Sequence, residues 1–225
     1  MDVVLRNITK RYGDKTVYEG FDLTLKEGEV TALLGPSGCG KTTLLNILGG
    51  LTPFEGEAEV PAEVSYLFQR DRLLPNLKVL DNLLYVLGGR PDARERALKT
   101  LSLVEMEGEA DRYPRELSGG MAQRVAMARA FCFPSELLLM DEPFRNLDFA
   151  LKLRLMQVFE SLRAEMPRTC LFVTHDLEEA LTLGDRVLIL KAGKLAADVR
   201  LSESKPRAFG QPMAEREALF SALCT

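Results

Sequence analysis

Tryptophan is absent from this 225-residue chain, histidine occurs once, and aromatic residues make up only 7%. So few rings give no sign of a base-stacking platform for nucleic acid. A basic excess is missing too: 29 Lys and Arg face 33 Asp and Glu, a formal charge of −4. A nucleic-acid partner would call for a basic face. The four cysteines, Cys39, Cys132, Cys170 and Cys224, form no C-x-x-C pair. That argues against a zinc or redox framework, fits a reducing cytoplasm, and leaves them as small buried hydrophobes. No basic-then-apolar leader opens the chain. No stretch approaches the ~18 uncharged apolar residues of a membrane span, since the apolar run over residues 77–87 is interrupted by Lys78 and Asp81. Any membrane role is expected to come through a partner. At 46% apolar and 28% charged the composition is that of a soluble globular protein. The length suits one domain over residues 1–225, or one with a subdomain.

What is present is concentrated in motifs. Gly35-Pro36-Ser37-Gly38-Cys39-Gly40-Lys41-Thr42-Thr43 is a complete G-x-x-x-x-G-K-T phosphate-binding loop. It follows a strand-like run at residues 29–34 and opens a helix-like run at 42–48, the context that separates a working loop from a Gly-rich turn. Glycines let successive backbone N–H groups face inward, and the positive helix N-terminus adds to the cradle. Lys41 can reach the β/γ-phosphates of a nucleotide, and the Thr42 hydroxyl can sit on Mg²⁺.

The remaining pattern alternates strands with helices. Residues 2–5 and 15–25 read as antiparallel strands about a turn near Gly13-Asp14. The helix after the loop stops at Gly49-Gly50. A short strand covers 64–68, and residues 70–130 turn helical and more charged. Residues 137–140 form a continuous apolar strand of the buried parallel type. A helix at 151–163, a buried strand at 170–174 and a helix at 177–183 follow. A hairpin pairs 186–190 with 195–199 around Ala192-Gly193-Lys194, and a last helical piece covers 213–223 in a tail from about 200. This order implies an α/β sheet with helices on its faces.

Two further constellations carry chemistry. The apolar strand at 137–140 ends in Asp141-Glu142-Pro143. Asp141 would hold Mg²⁺, directly or through its water, and Glu142 sits where a carboxylate could polarise an attacking water. Alone, the pair would equally suit a solvated turn. Leu117-Ser118-Gly119-Gly120-Met121-Ala122-Gln123-Arg124 offers an anion a hydroxyl, backbone donors and a helix dipole. Alone, Ser118 would equally be an ordinary N-cap for a helix at 125–131.

Taken together, these motifs resemble the nucleotide-binding subunit of an ATP-binding cassette (ABC) transporter over residues 1–200. The resemblance implies a P-loop NTPase core with a mixed sheet, an N-terminal antiparallel β-subdomain and a helical signature subdomain over about 70–130. It implies ATP and Mg²⁺ as ligands. Ser118, Gly119 and Gly120 match the signature loop, which contacts ATP held by the P-loop of a second subunit. Gln69, in SYLFQ, matches the Q-loop glutamine that senses Mg²⁺ and the γ-phosphate. His175, in FVTHDLEEA, matches the switch histidine, and Tyr12, in ITKRYG, the aromatic that stacks on adenine. The implied partners are permease subunits, an extracytoplasmic solute-binding protein, and a second copy or a closely related second cassette. The implied place is the cytoplasmic face of the inner membrane, and the implied reaction is hydrolysis of ATP.

Phe144-Arg145-Asn146-Leu147-Asp148 departs from the family's D-loop, which reads close to S-A-L-D. Asp148 keeps the match, and Arg145 reads as a solvated surface charge, with a cross-dimer contact as the alternative. Gly-Gly-Met, Pro-Phe after Asp141-Glu142, and Arg72-Leu73-Leu74-Pro75 resemble cassettes of the nitrate/sulfonate/taurine importers, whereas Asn146-Leu147-Asp148 resembles lipoprotein and peptide exporters. Import is the leading expectation, an exporter ATPase the alternative, and a non-transport ABC ATPase a further one. Leu73, Leu74, Leu77, Val79 and Leu80 are expected to form an exposed patch for a permease helix, or part of the helical core. No C-terminal regulatory domain is expected after the terminal hairpin.

Overall fold

A computed structural model describes residues 1–224. Two sheets organise it. β1 (Val3–Tyr12), β2 (Lys15–Leu25) and β4 (Glu55–Glu59) form an antiparallel sheet in the order β2-β1-β4. β3 (Val30–Leu34), β5 (Val64–Leu67), β6 (Leu137–Asp141), β7 (Thr169–Val173), β8 (Arg186–Lys191) and β9 (Lys194–Arg200) form the larger sheet in the order β5-β6-β7-β3-β8-β9. Its first five strands run parallel and β9 returns antiparallel on β8. The expected mixed sheet and antiparallel N-terminal unit are both there.

The central strands are apolar throughout because both faces of the large sheet are covered. Alternate side chains point to opposite faces. Leu33, Leu137, Leu139, Leu171 and Leu188 pack towards the antiparallel sheet and α1 (Lys41–Leu48). Ala32, Leu138, Met140, Cys170 and Phe172 pack towards the helices on the other side. Those helices are α2 (Val79–Leu87), α3 (Ala93–Leu103), α4 (Gly119–Cys132), α5 (Phe149–Glu165), α6 (Leu177–Leu183) and α7 (Arg216–Cys224). α4 and α5 meet where the fully buried rings of Phe131 and Phe159 cross edge-on at 5.8 Å.

Several boundaries differ from the sequence reading, each for a local reason. β1 runs to Tyr12 rather than residue 5: register shifts between Leu5 and Ile8 displace its buried positions, so the period-2 pattern breaks. β4 (EGEAE) was not expected; every one of its residues is exposed, and no apolar face marks it. α4 begins at Gly119 rather than residue 125, capped by Ser118, whose Oγ accepts from the Met121 N–H. Two glycines in its first turn, poor helix formers, mask that start. The candidate patch divides: Val79 and Leu80 belong to the core, while Leu73, Leu74 and Leu77 are half-buried. The fully buried amide of Asn82 ties the backbone of Leu74, Leu77 and Lys78 in place. Cys39, Cys132 and Cys170 are buried, whereas Cys224 is exposed.

Phe159→Ala removes one ring of the α4–α5 contact from a site with no exposure. The expected cost is about 3–5 kcal/mol, measured by urea unfolding. A change below about 1 kcal/mol would contradict the packing described.

Candidate nucleotide site

The parallel register brings the ends of β3, β6 and β7 to one edge of the sheet. Leu33 pairs with Val173, and Asp141 pairs with Val173 from the other side. Open α/β sheets bind ligands at that carboxyl edge. A cleft of about 380 Å³ opens there.

The loop from Gly35 to Thr43 forms one wall. Gly35 is obligatory, since a Cβ would lie 2.1 Å from the Leu190 carbonyl oxygen. Gly40 adopts φ +118° and precedes α1; a Cβ there would lie 2.8 Å from the Tyr18 hydroxyl. Tyr18 is buried and donates to the Gly40 carbonyl at 2.9 Å. Burial pushes its hydroxyl pKa up, so it stays a donor. Lys41 folds back on the loop, donating to Gly35 O at 2.6 Å and Pro36 O at 2.8 Å. Its ammonium thus rests on the loop's own carbonyls, and its charge also acts on Asp141 across the cleft. The first N–H groups of α1 have no intrahelical acceptor, and no acid occupies its first turn. Ser37, Gly38, Gly40, Lys41, Thr42 and Thr43 line the cleft, while Cys39 is buried behind it.

The acids form the facing wall. Thr42 Oγ1 donates to Asp141 Oδ2 at 3.2 Å. Burial pushes the Asp141 carboxyl up, the Thr42 bond pulls it back, and the neighbouring Glu142 charge raises it again. Two adjacent carboxylates at a partly buried sheet edge favour a cation. The described residues hold no group of three or more His, Cys, Asp or Glu ligands. One carboxylate and one hydroxyl suit Mg²⁺, which keeps waters and substrate phosphates in its shell.

Glu142 lies in a left-handed conformation, φ +48°, and its N–H donates to Val173 O at 3.0 Å. Left-handed backbone in a non-glycine residue is costly and persists where the surrounding contacts hold it. Oε1 lies 3.8 Å from His175 Nδ1, and Oε2 accepts from Arg145 Nη1 at 2.7 Å. Arg145 is therefore not merely solvated: it has a carboxylate partner in its own turn while its side chain stays 43% exposed. His175 itself is largely exposed. Gln69, just beyond β5, and Tyr12, half-exposed at the end of β1, complete the cleft. Ser118, Gly119 and Gly120 do not line it; a Cβ on Gly120 would meet Leu151 of α5.

A buried network underlies His175. Lys152 on α5 donates to Asp176 Oδ2 at 2.7 Å and pairs with Glu179 Oε1 at 2.6 Å. Thr174 Oγ1 donates to Glu179 Oε2 at 2.5 Å. Burial pushes the Glu179 carboxyl up, while Lys152 and Thr174 pull it back. Lys15, Val17 and Lys152 escaped the sequence reading, and Arg145 was read there without its Glu142 partner. Only Arg145 carried a signal, lying three residues after Glu142.

Comparison with known proteins places this geometry. A family model described as ABC transporter matches residues 18–145. The aliphatic sulfonates import ATP-binding protein SsuB 1 of Nocardia farcinica (strain IFM 10152) is 44% identical over 211 residues, 93% of this chain and 86% of that protein. SsuB 1 of Rhodococcus jostii (strain RHA1) is 46% identical over 228 residues, 97% of this chain and 92% of that protein. A dimeric post-hydrolysis state of the ATP-binding cassette MJ0796, bound to ADP and Pi, superposes with a TM-score of 0.78 at 32% identity, over 90% of this chain and all of that one. The chain belongs to the ABC transporter family.

Lys152→Ala leaves the Glu179 carboxylate buried without its cation. Lys152 is partly exposed and Thr174 keeps its bond to Glu179, so the expected cost is about 1–3 kcal/mol, read as a lowered denaturation midpoint. An unchanged midpoint would contradict the network.

Proposed function

We propose that this member of the ABC transporter family is the ATP-binding and ATP-hydrolysing subunit of an importer, driving solute uptake through a separate permease. The observation that carries the reading is the Thr42–Asp141 bond beside a Glu142 that faces His175. Loop, metal-site pair and candidate base share one cleft. None of the described helices is long and apolar enough to cross a membrane, which fits a peripheral subunit at the inner face of the cell membrane.

In this reading Lys41 leaves the carbonyls of Gly35 and Pro36 and turns to the β/γ-phosphates. The first-turn N–H groups of α1 hold the phosphates, and Tyr12 stacks on adenine. Thr42, Asp141 and Gln69 would hold Mg²⁺; when bound, the ion offsets the phosphate charge. Glu142 holds the attacking water and accepts its proton on a carboxylate oxygen. His175 supports the γ-phosphate from its exposed position. Ser118, Gly119 and Gly120 serve the cleft of a second copy, whose own segment serves this one.

Relatives named for aliphatic sulfonate import favour uptake over export, and an organic sulfonate as the first solute to test. An extracytoplasmic solute-binding protein would then deliver it. Asn146, which resembled an exporter feature, has a backbone reason instead: it sits at φ +59°, a conformation in which Asn is enriched.

Glu142→Gln is expected to bind ATP, accumulate as a dimer and lose about 10²-fold or more of turnover. Gel filtration with ATP and phosphate release measure the two; near-normal turnover would remove Glu142 as the base. Lys41→Ala is expected to lose nucleotide binding by calorimetry. Unchanged ATP affinity there would refute the role of the loop.

A further inference from the structure

Arg145 lines the cleft and has no task in the mechanism above. It is not simply solvated. Its Nη1 donates to Glu142 Oε2 at 2.7 Å, and its backbone N–H donates to the Glu142 carbonyl at 3.2 Å. Side chain and backbone thus close the same short turn, between the left-handed residues Glu142 and Asn146. The Glu142 side chain is 17% exposed and that of Arg145 is 43% exposed. The guanidinium therefore keeps one side towards the open cleft.

Guanidinium groups cannot lose their proton at ordinary pH and offer no acceptor. Arg145 at Oε2 ties the carboxylate back onto its own turn, while the other oxygen, Oε1, faces His175. An anion entering the cleft is a competing partner. Arginine favours phosphate oxygens at least as well as carboxylate, in the same forked geometry. Lys41, Ser37 and Gly38 line the same space and bring the phosphate chain there.

We propose that Arg145 is a positioning residue that latches Glu142 in the empty cleft and transfers to the terminal phosphate when ATP is bound. ADP lacks that phosphate and leaves the latch closed. The base would then be freed only by the nucleotide it acts on. This rests on the reading of Glu142 as base and of the loop as the phosphate site. The turnover of Glu142→Gln tests the base alone, and the experiment below makes no use of turnover.

The full chain is treated with phenylglyoxal, an arginine reagent, and modification of Arg145 is followed by peptide mass mapping. In the empty chain Glu142→Gln is expected to speed modification of Arg145, since a neutral amide cannot form the charged pair. A non-hydrolysable β,γ-imido ATP analogue with Mg²⁺ is expected to protect Arg145, and ADP is not. By calorimetry, Arg145→Ala should weaken the analogue about two- to five-fold, the factor of an ordinary exposed ion pair, and leave ADP unchanged. Arg145→Lys should restore most of the loss. Equal protection by ADP, equal weakening of both nucleotides, or no change in either would overturn the proposal.

Discussion

The backbone ladder of four parallel strands, β5-β6-β7-β3, is the constraint on which the nucleotide cleft depends. Each strand delivers one segment to the same edge: Gln69 after β5, Asp141 and Glu142 at the end of β6, His175 after β7, and the phosphate loop after β3. The pairings Leu67 with Met140, Asp141 with Val173 and Val173 with Leu33 set their relative heights. Every residue of β7 and all of β6 except Asp141 are buried, so no polar–apolar alternation sets the register. The ladder pairings themselves, Asp141 opposite Val173 and Met140 opposite Phe172, fix where the acids stand.

On that frame the site is held by a few costly local arrangements. Gly40 and Gly35 approach neighbouring groups too closely for any side chain. Glu142 and Asn146 hold left-handed backbone on either side of Arg145. Beneath the exposed His175, the buried Lys152–Glu179 pair and Thr174 tie α5 to the segment that carries the histidine. Strain and buried charge persist only where surrounding structure over-determines them. Of the non-glycine residues with positive φ, Glu142 lines the cleft and Asn146 closes the turn beside it, while Asn7, Arg72, Glu105 and Ala192 serve turns and bulges elsewhere.

Much of this was legible in the sequence because its signals are local. The phosphate loop, the acid pair after an apolar strand and the helix at 177–183 each announce themselves within ten residues. What was hidden depends on neighbours distant in the chain. β4 is an edge strand made visible only by its pairing with β1, and its charge is what an exposed edge favours. The bulged β1 lost its period midway. Val79 and Leu80 read equally as a surface patch or as helical core, and only the packing of α2 with α3 and α4 settles them as core. Arg145 read as surface charge because its partner is set by a turn geometry, not by composition. Ser118 served two readings, and the structure supplies one of them: it caps α4.

The second role of Ser118 holds the account together, because in one chain the Ser-Gly-Gly segment stands outside the cleft whose phosphates it would complete. The central claim is that two copies build each working site. The most direct measurement mixes two inactive variants, Lys41→Ala and Ser118→Arg, and follows phosphate release as the ratio varies. In a mixed dimer one site receives both lesions and the other receives neither. Equal mixing is then expected to recover about a quarter of the activity of the unaltered protein. Activity no higher than the sum of the separate variants at every ratio, or full activity of Ser118→Arg alone, would contradict the shared site.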